Sequence, residues 1–187
     1  LGIDLTSNVF IGGSGQVFWV DPGMESAWMS PSSPYRDYFQ GRVARIANET
    51  GVDGLWADVP LYSDFGPVRW ADANPFAVAQ FQSTNPGFTT PTSENWTSLA
   101  WRRWIAWRHN ELRRFIADAA AAARQNNPEF VFIVETLPTD YNMSTVYGLE
   151  GVDLRDIEGV SHVWEVDTLS NNTAMRRARE DDWISYI

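Results

Sequence analysis

The sequence predicts an α/β fold of parallel strands with helices outside. Short apolar, β-branched runs alternate along the chain with stretches of helical periodicity. The runs are apolar at nearly every position, the pattern of strands covered on both faces of a parallel sheet. A long insertion, residues 60–97, follows a run that ends in an acid. Binding loops leave the carboxyl ends of strands in this way in (β/α)8 barrels. The fold class expected is a partial TIM barrel, a single domain over residues 1–187.

The first expected strand is Gln16 to Val20, after the turn-forming Gly12-Gly13-Ser14-Gly15. That glycine run lacks the strand–turn–helix context of a phosphate loop and reads as a turn. A helix is expected over 35–50, with Tyr38, Phe39, Val43 and Ile46 on one face, Ser33 as N-cap, Pro34 as first helical residue and Gly51 just past its end. Residues 52–59 form the next expected strand. Inside the insertion, 75–82 reads as a short helix. The strongest helix spans 101–125, where Trp101, Trp104, Ile105, Leu112, Phe115, Ile116 and Ala119 recur at three and four. Asn126-Asn127-Pro128 stops it. Strands follow at 130–135 and 160–166, with a short helix at 144–148 between them.

Composition narrows the function. The 187 residues carry a net charge of −10, so a nucleic-acid backbone would be repelled. No run approaches a membrane span. There is no cysteine, which excludes disulfides, thiolate zinc sites and cysteine nucleophiles. All 14 basic residues are arginine, which excludes lysine chemistry. Ten tryptophans are many for this length; each supplies a flat apolar face that can stack on a sugar ring or fill the core. Both chain ends read as cuts in a longer protein, since a full barrel takes about 250 residues.

Three expected strands end in acids: 52–58 in Asp58, 130–135 in Glu135, and 162–167 in Glu165 and Asp167. A carboxylate at the end of an apolar strand must be solvated, paired or used. In a parallel barrel such ends converge on one mouth. Glycoside cleavage needs two carboxyl groups flanking the scissile bond, one to protonate the leaving oxygen and one to attack carbon or activate water. Neighbouring strands lie about 4.8 Å apart, which suits the roughly 5–5.5 Å of a retaining pair. Asp58 and Glu135 are the candidate catalytic pair, with Glu165 the alternative acid/base. The competing reading makes these acids partners of arginines or a solvated rim.

Ser33-Pro34-Tyr35-Arg36-Asp37-Tyr38, a helix, and then Gly51-Val52-Asp53-Gly54-Leu55-Trp56-Ala57-Asp58 resemble the middle of a (β/α)8 glycoside hydrolase of the α-amylase-like kind. Ile133-Val134-Glu135-Thr136 resembles the following strand of those enzymes. The likeness covers residues 30 to 140. It implies Asp58 as nucleophile at the end of strand four and Glu135 as acid/base at the end of strand five. Trp56 stands where that pattern carries an arginine. Glycosidase-like barrels outside the named families are the nearer likeness.

Substrate-binding candidates are Trp56, Tyr62, Asp64, Trp70, Tyr141, Asn142, Trp164 and Asp167, aromatics to stack and polar groups to bind hydroxyls. For Tyr62, Asp64 and Trp70 the alternative is a loop with its own small core. His162 and Glu165 are three apart on a strand and point to opposite faces, so no metal site is expected. Arg102, Arg103, Arg108, Arg113 and Arg114 read as one solvated helix face, with Asp118 four residues past Arg114 as a partner. Sequons at Asn48, Asn95, Asn142 and Asn171 read as chance matches. The expected activity is retaining hydrolysis of an oligo- or polysaccharide, without cofactor, by a bacterial extracellular or cell-envelope protein. The alternative is a non-catalytic glycan-binding barrel.

Overall fold

A computed structural model describes residues 19–21, 26–57, 62, 72–135 and 162–164, with side chains described for 28–57, 62 and 72–134. In chain order the elements are β1 (Trp19–Asp21), β2 (Ser26–Ala27), α1 (Tyr35–Glu49), β3 (Gly54–Ala57), α2 (Pro75–Thr84), α3 (Leu99–Arg124), β4 (Val131–Glu135) and β5 (His162–Trp164). The fold is α/β. Among the described residues, β3, β4 and β5 form a parallel sheet in that order.

The first strand departs from expectation. Trp19–Asp21 pairs antiparallel with β2 in a separate two-stranded ribbon, with a register irregularity between Trp19 and Asp21. Pro22-Gly23 begins the short link between these strands, and so short a connection returns the chain antiparallel, whereas a parallel neighbour needs a crossover.

The helices expected at 35–50, 75–82 and 101–125 form, with shifted ends; the one expected at 144–148 lies outside the described residues. The helix predicted from Trp101 starts two residues earlier, because the Ser98 hydroxyl accepts from the Trp101 N–H as N-cap. In α2, Asn74 caps the Phe76 N–H at 2.9 Å and Pro75 takes the first helical position. At α1 the cap position falls on Pro34, already helical in backbone. Ser33 still serves the orphan donors: its hydroxyl accepts from Tyr35 N–H and its carbonyl from Arg36 N–H. Gly51 has φ +70°, the left-handed conformation that ends α1.

Two hydrophobic clusters are described, and α3 serves both. At about 39 Å its length spans a small domain. Its first half, Trp101, Trp104, Ile105 and Trp107, packs with Ala77 and Phe81 of α2. Phe81 meets Trp104 edge-on at 5.1 Å, and Trp104 stacks on Trp107 at 5.0 Å. Its second half, Leu112 to Ala123, packs on α1 and the sheet through Val43, Ala47, Phe130, Phe132 and Val134. Phe39 of α1 stacks on Phe115 at 5.1 Å. Tyr38, predicted for the buried face of α1, is instead exposed; Tyr35, Phe39, Val43 and Ile46 carry that face, at spacings of four, four and three.

The helices cover one face of the sheet. Leu55, Ala57, Phe132 and Val134 face the core, while Trp56 is 52 % exposed and Val131 and Ile133 are half-buried. Among the described residues, the helices lie on one face of the sheet; what lies on its other face is outside the described residues. No helix among them is long and apolar enough to cross a membrane.

Candidate functional site

The sheet register sets the geometry of the strand ends. Gly54, Leu55, Trp56 and Ala57 pair in order with Val131, Phe132, Ile133 and Val134. Ala57 and Val134 are thus partners on parallel strands. Asp58 is the next residue after one and Glu135 the next after the other. On the other side of β4, Glu135 pairs through its backbone with Trp164, and Glu165 is next in sequence after Trp164. The close approach of β3 to β4 begins at Gly54, where an added Cβ would collide with the Val131 carbonyl oxygen. The Val131 N–H donates to the Asp53 carbonyl at 2.9 Å and closes the start of the ladder.

Of the predicted site residues, Asp58, Asp64, Trp70, Tyr141, Asn142, Glu165 and Asp167 lie outside the described residues. Glu135 and Trp164 are described by backbone only, in β4 and β5. Trp56 stands exposed on the sheet face opposite the helices. Tyr62, predicted as part of a substrate wall, is completely buried in the α1–α3 cluster. Its ring belongs to the core because it lies under the guanidinium of Arg108, whose Cζ is 4.3 Å from the ring centroid.

Arg102, Arg103, Arg113 and Arg114 are exposed on α3 as expected, and Arg108 is the exception to that outer face. It is fully buried, as are Glu111 and, nearly so, His109. These three fill the stretch of α3 between its two hydrophobic clusters, forming a polar belt. Buried Asp72 lies near enough to Arg108 and Tyr62 to act on both electrostatically. Burial pulls the Arg108 guanidinium down to about 10, opposed by Tyr62 and Asp72. Burial pushes the Tyr62 phenol far above its ordinary value; Arg108 lowers it, and Asp72 and Glu111 raise it. Asp72 Oδ1 also accepts the Asn74 N–H at 2.9 Å, just ahead of the α2 cap.

A second set of charges joins α1 to α3. Arg36 donates to Asp118 at 2.6 Å and to buried Glu111 at 3.4 Å, and Arg114 donates to Glu111 at 2.7 Å. The expected Arg114–Asp118 pairing gives way to this arrangement, because Glu111, three residues before Arg114, is the buried carboxylate in need of donors. The buried belt escaped sequence reasoning, yet its signal is present. Arg108 falls on the repeat Trp101, Ile105, Arg108, Leu112, Phe115, so it occupies the apolar stripe. Among the described residues, no cluster of acids and histidines could hold a metal ion.

No protein-family model matches the chain, and no curated protein matches it by sequence. Among solved structures, the catalytic domain of beta-amylase from Paenibacillus polymyxa is similar in fold, at a TM-score of 0.58 and 11 % identity. The match covers 86 % of this chain and 52 % of that one, so the chain spans about half of that domain.

Proposed function

We propose that the protein is a glycoside hydrolase of the (β/α)8 type, acting on an oligo- or polysaccharide through Asp58 and Glu135. The observation that carries this reading is the pairing of Ala57 with Val134 on parallel strands, each followed directly by one of the two acids. Adjacent parallel strands lie about 4.8 Å apart, close to the carboxyl separation of retaining enzymes. The likeness in fold to a beta-amylase catalytic domain supports the glycosidase class.

In the first step Glu135 gives its proton to the glycosidic oxygen as that oxygen leaves carbon. The Asp58 carboxylate attacks the anomeric carbon on the opposite face and forms a glycosyl ester. In the second step Glu135, now ionised, takes a proton from water; the water oxygen attacks the same carbon, and Asp58 departs as a carboxylate. Each step inverts the carbon, so the configuration is retained. Exposed Trp56 offers an apolar face to a sugar ring. Glu165 is the substitute acid/base should Glu135 act only in binding.

The test is hydrolysis of maltopentaose, cellopentaose and xylopentaose by wild type, Asp58→Asn and Glu135→Gln, with the product anomer read by NMR. Each substitution is expected to lower kcat by about 10²–10⁴-fold. Wild-type activity in both variants contradicts the mechanism. Binding of a sugar without turnover by wild type points to the glycan-binding barrel instead.

A further inference from the structure

The crossover between β3 and β4 contains an anchor with no part in the chemistry above. Arg108, in the middle of α3, is completely buried, and so is Tyr62, whose ring it covers at 4.3 Å. Asp72, 1 % exposed, is the nearby carboxylate that favours the charged guanidinium. Tyr62 and Asp72 stand ten residues apart in sequence; the same arginine covers the Tyr62 ring and lies close enough to Asp72 for the carboxylate to act on it electrostatically. Burying a guanidinium is costly unless it is well partnered. An apolar residue of similar volume would fill the stripe of α3 without that cost. The arrangement therefore calls for a role that packing alone does not supply.

Position supplies one. Tyr62 stands four residues after Asp58, a span of at most about 14 Å even when fully extended. A ring fixed in the core at Tyr62 limits where the chain leaving β3 can run. Asp72 limits its return, and passes that constraint to α2 through Asn74. Tyr62 is held from the side of α3, whose second half packs beneath the sheet. One rigid helix thus supports both the strand and the chain that follows it.

We infer that Arg108 is a positioning residue, a buried staple that holds the chain leaving β3 at Tyr62 and Asp72 and so fixes the nucleophile end of the site. Its catalytic consequence rests on the function proposed above; its action as a staple does not.

Two measurements separate these claims. Amide hydrogen exchange is compared between wild type, Arg108→Met and Arg108→Lys in peptides covering 58–74 and 112–123. Arg108→Met is expected to raise exchange in 58–74 by about tenfold or more with 112–123 unchanged, the mark of local opening. Arg108→Lys, which keeps a cation over the ring, is expected to fall between the two. Should Arg108→Met fail to fold, Tyr62→Leu keeps the core filled and carries the same expectation. Unchanged exchange in 58–74 overturns the staple.

Turnover of the same three pentasaccharides is the second measurement. Arg108→Met is expected to lower kcat by about 10²-fold with KM little changed, as for a misplaced reacting group, and Arg108→Lys to restore part of it. If Asp58→Asn abolishes turnover while Arg108→Met keeps wild-type kcat, the positioning role is wrong and the proposed function stands. If Asp58→Asn retains turnover, the proposed nucleophile is wrong, and the exchange result alone judges the staple.

Discussion

Ala57 and Val134 are register partners on neighbouring parallel strands, and the sheet face they share is the one the helices cover. That relationship aligns the two strand ends, and it starts from Gly54 three residues earlier. Its lack of a side chain lets the two backbones close.

Gly54→Val should therefore damage the sheet at its first pair. A side chain there meets backbone, which cannot swing aside. A loss of about 1–3 kcal/mol is expected, the usual range for overpacking. Urea unfolding followed by tryptophan fluorescence measures it; Gly41→Ala, where an added Cβ meets nothing, is the control and should be neutral or stabilising.

The charges between α1 and α3 should contribute unequally. Glu111 is buried, so Arg36→Met leaves it with fewer donors and should cost about 3–5 kcal/mol. Asp118 is half exposed, and Asp118→Ala should cost no more than about 1 kcal/mol. Equal losses in the two variants would show that Glu111 is not the charge the network serves.

Alkaline titration should find Tyr62 silent. Burial raises its folded-state pKa above the ordinary value near 10. In the folded protein the phenol keeps its proton where the unfolded chain would release it. Its contribution to stability is thus unchanged below about pH 10 and turns increasingly unfavourable as pH rises above that. Arg108 acts in the opposite sense: its folded pKa, pulled down to about 10, lies below the unfolded value. The unfolded state then binds more protons above about pH 10, and this group alone would favour folding there. Tyr62→Phe is expected to leave the rise in phenolate absorbance unchanged until the fold is lost. A lost share of the rise while the protein is still folded would place Tyr62 in contact with solvent.

The packing of α2 gives a fourth expectation. Phe81 joins Trp104 and Trp107 and is fully buried, so Phe81→Ala should cost about 3–5 kcal/mol. Near-ultraviolet circular dichroism should lose the tryptophan signal of this cluster before far-ultraviolet helicity falls. Simultaneous loss of both would mean that the two clusters unfold as one.

Much of the fold was legible in the sequence because its signals were local and strong. The period of Trp101 to Ala119, the Asn74-Pro75 start of α2, and glycine at position 51 each have one physical reading. The parallel pairing of β3 with β4 was also legible, since helical periodicity intervenes between their apolar runs and α2 and α3 form there. The errors came where a residue's type and its position disagreed. The charge of Arg108 points to solvent, yet its place on the apolar stripe outweighs that where a ring and a nearby carboxylate receive it. For Tyr62 the sequence leaves a substrate wall and a core position equally open, and burial of its ring decides for the core. The Arg36–Glu111 contact joins residues 75 apart, and no local pattern announces such a pairing. Of the two acids of the proposed site, Glu135 is the last residue of β4 and Asp58 lies outside the described residues; the register that aligns Ala57 with Val134 is a tertiary property that no local pattern announces.

The account stands on Asp58 and Glu135 being side by side. The chain has no cysteine, so the double variant Asp58→Cys/Glu135→Cys carries only the two thiols under test. Treatment with dibromobimane, which bridges neighbouring thiols, followed by intact mass spectrometry reads their proximity directly. The account predicts one reagent molecule bridging both cysteines within a single chain. Two separate adducts, one on each cysteine, would contradict it.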